Sequence, residues 1–177
     1  NTGIISEKMS SKVKDIENYY EQCLNQGSNE YQVEASKKAV TNLASIVGDE
    51  DVLNDVAYYF INHYENRVKE GSTVAGKCMF VCMNRPIAFK FYNILKNKRP
   101  EWFELKVASE GAILSDKDKK ELIPMPMCKL IATRSKDDPQ EMYDLLGNDS
   151  DRKNAAIQFK NINSNFKIAI VVDWQVC

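Results

Sequence analysis

Two groups of polar side chains each follow an apolar stretch that is typical of a buried strand. Asn84 and Arg85 come after "KCMFVCM", and four polar residues come after "CKLIA": Thr133, Arg134, Ser135 and Lys136. In a parallel sheet the carboxyl ends of the strands meet at one edge, so both groups are expected at that edge. Their amide, hydroxyl, guanidinium and ammonium groups are donors suited to holding a phosphodiester backbone without reading bases. Turn and cap residues that are polar because they are exposed have the same composition, so the chemistry alone leaves both interpretations open.

No complete catalytic or metal-binding pattern occurs in the sequence. His63 is the only histidine, and the five cysteines are scattered without a CxxC pair, whereas structural zinc needs four closely spaced ligands. The phosphate-binding pattern GxxxxGK[ST] is missing as well. We therefore predict no catalytic residue and no metal ligand, and a chain that is a poor candidate for a self-contained enzyme. Free, scattered cysteines favour a reduced, cytoplasmic setting.

The charge of the chain differs between its two parts. The net charge of the 177 residues is −1. Residues 1–75 carry 7 basic and 12 acidic residues (−5), and residues 76–177 carry 17 and 13 (+4). The basic balance of the second part permits a surface that faces phosphate groups. No apolar run approaches the roughly 20 residues that a membrane-spanning helix needs.

Hydrophobic periodicity predicts an α/β fold, with a parallel sheet flanked by helices and preceded by an α-helical segment. Residues 1–75 show apolar residues at three- and four-residue spacing, which indicates helices, the last of them ending near Lys69 with Gly71 as its cap. Residues 76–177 alternate strand and helix patterns, as βαβ units do. The strands are expected in "KCMFVCMN", "CKLIATRS" and "FKIAIVVD", with "LKVAS" as a further short candidate and residues 110–127 as an excursion. The domain boundary is expected between residues 75 and 76.

The last helix and strand resemble a known family. Gly147, Arg152 and Phe159 lead into "FKIAIVVD" with the spacing seen in the second RecA-like lobe of superfamily 2 helicases and translocases. The stretches "MFVCMNRPIAFKFYNIL", "RPEW" and "KLIATRSKDDPQEMYDLLG" resemble the restriction (motor) subunit of type I restriction–modification enzymes. The resemblance covers residues 76–173, and residues 30–75 resemble the segment that precedes this lobe.

The resemblance implies that the chain is a fragment of an ATP-dependent DNA translocase and endonuclease subunit, not active alone. "MFVCMNR" corresponds to the family's motif IV strand, and "IAIVVD" leads to motif V, from which "VVDWQVC" departs because the Gly-Phe-Asp is missing. ATP and Mg²⁺ would be bound mainly by the first RecA-like lobe, so no cofactor is expected in this segment. Implied partners are double-stranded DNA, the first lobe and nuclease domain of the same parent chain, and the specificity and modification subunits.

Under this interpretation the six residues at the strand ends hold the DNA backbone, and four others form a structural motif: Gly147, Arg152, Phe159 and Asp173. Arg152 is expected to tie its helix to the lobe, and Trp102 is expected in the core. A chain that starts at Asn1 and stops at Cys177, just past a strand, is interpreted as a piece of a longer protein.

Two alternatives remain open at the level of sequence. One is a non-catalytic α/β protein-interaction module whose acidic helical part docks another protein. The other is an inactive, truncated relic of the motor subunit. Binding of duplex DNA that weakens steeply with salt favours the motor interpretation, whereas binding of a protein partner that is insensitive to salt favours the interaction module.

Overall fold

A computed structural model describes residue 38 and residues 43–172 of the chain. Its contacts separate two units, Asn1–Tyr59 and Phe60–Cys177, with the division inside a helix. The domain boundary between residues 75 and 76 stays a prediction. The helices predicted over residues 1–37 and the tail from Asp173 onward lie outside the described residues. No helix among the described residues is long and apolar enough to cross a membrane.

The first complete helix, α1, spans Glu50–Lys69 and confirms the helix predicted there. Asp49 begins it, because its Oδ1 accepts hydrogen bonds from the backbone N–H groups of Asp51 and Val52. Gly71 ends the turn that follows, with φ at 68°, in the left-handed region that favours glycine. Residues 43–47, before this helix, are helical as well.

Three parallel strands form the sheet, as predicted. They are β1 (Cys78–Cys82), β2 (Cys128–Ile131) and β3 (Ile168–Val172), in the order β1-β3-β2. Ile170 of the central strand pairs in register with Phe80 on one side and Leu130 on the other. Ile168 and Ile170 on one face and Ala169 on the other are all buried, which is the pattern of a strand covered on both faces.

Helices cover the two faces of the sheet. On the face of Phe80 lies α2 (Arg85–Lys98), whose Phe91 stacks on the Phe80 ring with centroids 4.2 Å apart. After a 3₁₀ turn at Pro100–Phe103 come α3 (Asp116–Glu121), α4 (Gln140–Leu146) and α5 (Asp149–Lys160). Ala155 of α5 packs with Ala169 and Phe166 on the opposite face of β3. The α/β class is therefore observed as predicted.

The stretch "LKVAS" is not a strand of this sheet. Lys106 and Ala108 form only isolated antiparallel bridges, to Met125 and Ser164. Its short alternating pattern matches that of a strand, but it has no continuous neighbour with which to form a ladder. The excursion of residues 110–127 does contain a helix, α3, begun by a capping box between Ser115 and Asp118.

An aromatic cluster explains why the second unit begins at Phe60. The Phe60 ring meets Phe80 and Phe91 at centroid distances of 5.1 and 5.9 Å, and Tyr64 meets Trp102 at 5.5 Å. Trp102 is buried, as predicted. The second half of α1 thus shares the core of the sheet, a contact that periodicity along the chain does not reveal.

Candidate nucleic-acid interface

The carboxyl edge of the sheet carries Asn84, which begins helix α2 directly after β1. Its Oδ1 accepts a hydrogen bond from the backbone N–H of Ile87 at 2.9 Å, and Pro86 occupies the first turn, where no amide hydrogen is needed. Asn84 is half-buried, and its Nδ2 group donates no hydrogen bond to another described residue. One end of the side chain therefore caps the helix, while the other can donate to a bound group.

An ion pair joins the end of β1 to the loop after β2. Arg85 donates from Nη2 to the carboxylate of Asp138, and both side chains are largely buried. The same carboxylate accepts from the backbone N–H of Ser135 at 2.6 Å, and Asp138 in turn donates its N–H to the Ser135 carbonyl. Because β3 lies between β1 and β2, this link runs across the end of the central strand. It holds the two predicted groups together at one edge.

Arg134 and Lys136 are the exposed cations of this edge. The Arg134 guanidinium lies over the Tyr143 ring, 4.4 Å from its centroid, and Lys136 stands in the exposed turn of the loop. Neither forms an ion pair within the described residues. Thr133 is half-buried beside them, and its hydroxyl is a further donor. The edge is less basic than the six predicted residues suggest, because Asp138 neutralises Arg85.

Gly147 adopts a backbone conformation that only glycine tolerates well, with φ at 63° and ψ at −163°. A Cβ atom there would lie 2.5 Å from Oδ2 of Asp151. That carboxylate cannot move freely, because it accepts the N–H of Asn148 at 2.8 Å in the capping box of α5. The glycine therefore serves the junction between α4 and α5.

Arg152 and Phe159 occupy different places on α5. Arg152 pairs with Asp149 of the same helix, so this ion pair is local and does not tie α5 to another element. Phe159 packs on Phe166 with ring centroids 5.1 Å apart and lies next to the core cluster beneath β3. Asp173, the fourth member of the predicted motif, lies outside the described residues.

A cavity of about 310 Å³ opens near the start of β1, at the amino edge of the sheet, and the sequence did not point to it. It lies between the second half of α1 and the loop of residues 71–77. Gly71, Gly76 and Lys77 have the spacing of a phosphate-binding loop, but Cys78 replaces the Ser or Thr. A phosphate-binding loop of that type follows a strand and precedes a helix, whereas residues 71–77 follow helix α1 and precede strand β1. The loop therefore lacks the strand-to-helix context of a phosphate-binding loop of this type.

Two lysines lie close together at this amino edge. Lys77 donates to the carbonyl of Phe166 and lies 5.2 Å from the centroid of the Phe159 ring, while Lys167 donates to the carbonyl of Ile162 at 2.6 Å. Burial, and after it the ammonium of Lys167, lowers the pKa of Lys77 to about 8. Burial also lowers the pKa of Lys167. Neither lysine has an acidic partner among the described residues.

The residues that the structure describes contain no group of three or more His, Cys, Asp or Glu side chains that could hold a metal ion. The expectation that ATP and Mg²⁺ bind elsewhere in a larger protein stays a prediction. Comparisons of the chain with protein-family models, curated proteins and solved structures gave no match.

Proposed function

We propose that this chain is part of the motor subunit of a type I restriction–modification enzyme, and that the carboxyl edge of its sheet contributes to the grip on the DNA backbone. The resemblance of residues 76–173 to the second RecA-like lobe supports the class. The arrangement at the sheet edge supports the role. In the parent protein, the first RecA-like lobe would hold ATP and Mg²⁺, and closing of the two lobes would move duplex DNA.

The observation that carries the proposal is the link from Arg85 through Asp138 to the Ser135 amide. It places the donors that follow β1 beside those that follow β2, at the edge where open parallel sheets bind ligands. Without the link these donors would sit on two independent loops. With it they form one surface of amide, hydroxyl and cationic groups.

The geometry divides the predicted residues into two roles. Arg134 and Lys136 are exposed and carry no ion pair within the described residues, so they are the cations that contact phosphate groups. Asn84 and Thr133 add neutral donors. Arg85 acts differently from the sequence-based prediction, because its guanidinium is paired with Asp138 and largely buried. Its role in this proposal is to position the loop of residues 133–136.

The experiment is a titration of the full 177-residue chain with a short duplex DNA at several salt concentrations. Each phosphate contact made by a cation contributes roughly −0.9 to the slope of log K against log [salt]. We expect Arg134→Gln and Lys136→Gln each to weaken binding on every DNA sequence and to reduce the steepness of that slope by about 1. Lys98→Gln is the matched control, because Lys98 is an exposed lysine at the far end of α2.

The control decides between a local grip and diffuse attraction. An equal loss of slope in Lys98→Gln would mean that DNA responds only to total charge, and the proposed grip would be abandoned. Absence of measurable binding at low salt would also overturn it. Binding that discriminates strongly between duplex sequences would contradict the assignment of these residues to the backbone.

A second candidate, a protein-interaction module, is favoured by the outer face of β1. Met79 and Val81 point to the same side of this edge strand and are 58% and 56% exposed. Exposed apolar side chains on a strand at a sheet edge suit contact with another protein. Substituting both with Thr should leave the DNA titration unchanged if the motor proposal is correct, and should abolish a salt-insensitive protein complex if the rival is correct.

A further inference from the structure

We propose that the amino-edge cavity binds a phosphate monoester with a small aromatic or apolar body. The cavity lies at the opposite edge of the sheet from the proposed DNA grip and shares no residue with it. The inference therefore stands independently of the proposed function. Four features carry it: the size of the cavity, its aromatic wall, its basic lining and a hydroxyl with a proton to donate.

The size and the wall suit the body of such a ligand. A volume of about 310 Å³ lies at the lower end of the range for small-molecule sites. Phe60 and Tyr64 line it, with ring centroids 6.1 Å apart and planes inclined by 19°. Tyr64 is fixed by a hydrogen bond from its hydroxyl to the carbonyl of Gly76 at 2.7 Å. The wall is thus aromatic, and the Tyr64 hydroxyl is already bonded to the loop.

The ionisable side chains with basic character dominate the lining. Arg67, Lys77 and His63 line the cavity, and no Asp or Glu does. Arg67 donates from Nη2 to the Ser72 carbonyl at 2.9 Å and has no ion pair within the described residues. A guanidinium has five N–H donors, so most of them remain for an anion. Glu70 contacts the lining without being part of it, because its carboxylate accepts a hydrogen bond from the Ser72 hydroxyl at 3.4 Å.

Lys77 adds a charge that lacks compensation. It is half-buried, its neighbour Lys167 is also a lysine, and burial together with that neighbour lowers its pKa to about 8. Its Nζ lies at the Phe166 carbonyl and over the Phe159 ring, which do not line the cavity. Lys77 therefore adds positive potential to this edge, and no direct contact with a bound anion is assigned to it.

The loop supplies a neutral donor as well. Oγ1 of Thr73 accepts the backbone N–H of Gly76 at 3.1 Å. Because that oxygen is the acceptor in this bond, its own proton can be donated to a phosphate oxygen. Thr73 lines the cavity, and the residue beside it, Ser72, does so too.

The test uses the full chain and amide NMR shifts of residues 71–78, with phenyl phosphate as the probe. Inorganic phosphate and phenol are titrated separately, because each corresponds to one part of the phenyl phosphate molecule. We expect saturable shifts with phenyl phosphate, weaker binding of inorganic phosphate at the same residues, and binding of phenol weaker by tenfold or more. The substitution Arg67→Gln should lower the affinity for phenyl phosphate about tenfold, because a charged hydrogen-bond donor is lost.

Lys69→Gln is the matched control. Lys69 is exposed in the same last turn of α1 and carries the same charge, but it does not line the cavity. Retained affinity in Lys69→Gln, together with the loss in Arg67→Gln, would support the site. Equal losses of affinity in both variants would mean that phenyl phosphate responds only to the total charge of the chain, and would overturn the proposal. Phenol that binds as well as phenyl phosphate, or no saturable shifts at all, would overturn it too.

Discussion

At the scale of single residues, Asn84 has two roles that substitution can separate. Its Oδ1 caps α2, and its Nδ2 is a donor at the proposed DNA surface. Asn84→Asp keeps the cap and replaces the donor with a negative charge. We expect the free energy of unfolding to stay the same or rise slightly, since Asp is as good a cap as Asn, while DNA affinity falls roughly fivefold, about 1 kcal/mol. Denaturant unfolding and the DNA titration measure the two effects.

Asn84→Ala serves as the comparison for the cap itself. It removes both roles, so it should lower the free energy of unfolding by about 1 kcal/mol as well as weaken DNA binding. If Asn84→Asp binds DNA as tightly as the unchanged chain, Asn84 is a cap only and the interface loses a member. If Asn84→Asp unfolds as easily as Asn84→Ala, the hydrogen bond to Ile87 is not the stabilising contact.

Residue types at the carboxyl edge could be read from the sequence, but their pairing could not. The residues Asn-Arg-Pro directly after a strand predict both the start of a helix and hydrogen-bond donors at the sheet edge. In the structure Asn84 is the N-cap of α2. Nothing in the spacing indicates that Arg85 and Asp138, 53 residues apart, form an ion pair. A sequence shows which side chains carry charge. Whether a charge is free to contact phosphate depends on its three-dimensional neighbours.

At the scale of elements, Gly147 fixes the junction of α4 and α5. We expect Gly147→Ala to lower the free energy of unfolding by about 1–3 kcal/mol, because alanine is strained at this φ and ψ and its Cβ would meet the Asp151 carboxylate. Gly111→Ala is the matched control: its φ is 73°, also positive, but nothing lies within 4 Å of the added Cβ. Denaturant unfolding of both variants measures the excess at Gly147.

The difference between the two variants isolates the contact with Asp151. A cost at Gly147 no larger than that at Gly111 would mean that the capping box yields to the new methyl group, and the junction would then be adaptable. A larger cost would show that the close approach of the Asp151 carboxylate requires the glycine of the predicted motif. It would need no contact with DNA or nucleotide to explain its presence.

The elements themselves were largely predictable, and their arrangement was not. Helix α1 and all three strands lie where periodicity placed them, and helices alternate with the strands over residues 76–177 as expected. The strand order β1-β3-β2 could not be predicted, because strands and helices would alternate along the chain in the same way for other orders. The order depends on which strand buries both of its faces in the folded protein. "LKVAS" shows the opposite limit, because an alternating stretch without a ladder partner does not become a strand. The cavity was missed since Phe60 and residues 71–77 meet only in the folded chain.

At the scale of the whole molecule, the second unit offers two polar edges with different chemistry. The carboxyl edge presents exposed cations and neutral donors on a tied loop, which suits an extended phosphate backbone. The amino edge presents a concave, partly aromatic cavity with basic groups, which suits a single small anion. The excess of 17 basic over 13 acidic residues in residues 76–177 includes the cations of the carboxyl edge, whereas the cavity draws Arg67 from the preceding residues. A DNA titration and a small-anion titration should therefore be perturbed by different substitutions.

Catalytic turnover tests the interpretation of the whole chain. We expect the purified chain to show neither ATPase nor nuclease activity with Mg²⁺ and duplex DNA, because transfer of a phosphoryl group needs a phosphate cradle and a metal site that the resemblance assigns to another lobe. Release of inorganic phosphate and DNA cleavage are the measurements. DNA-stimulated ATP turnover that disappears in Lys77→Gln but survives in Lys98→Gln would contradict this expectation. It would also mean that residues 71–77 cradle a nucleotide, although they follow a helix and precede a strand. This chain alone would then bind and hydrolyse ATP, which its sequence does not suggest.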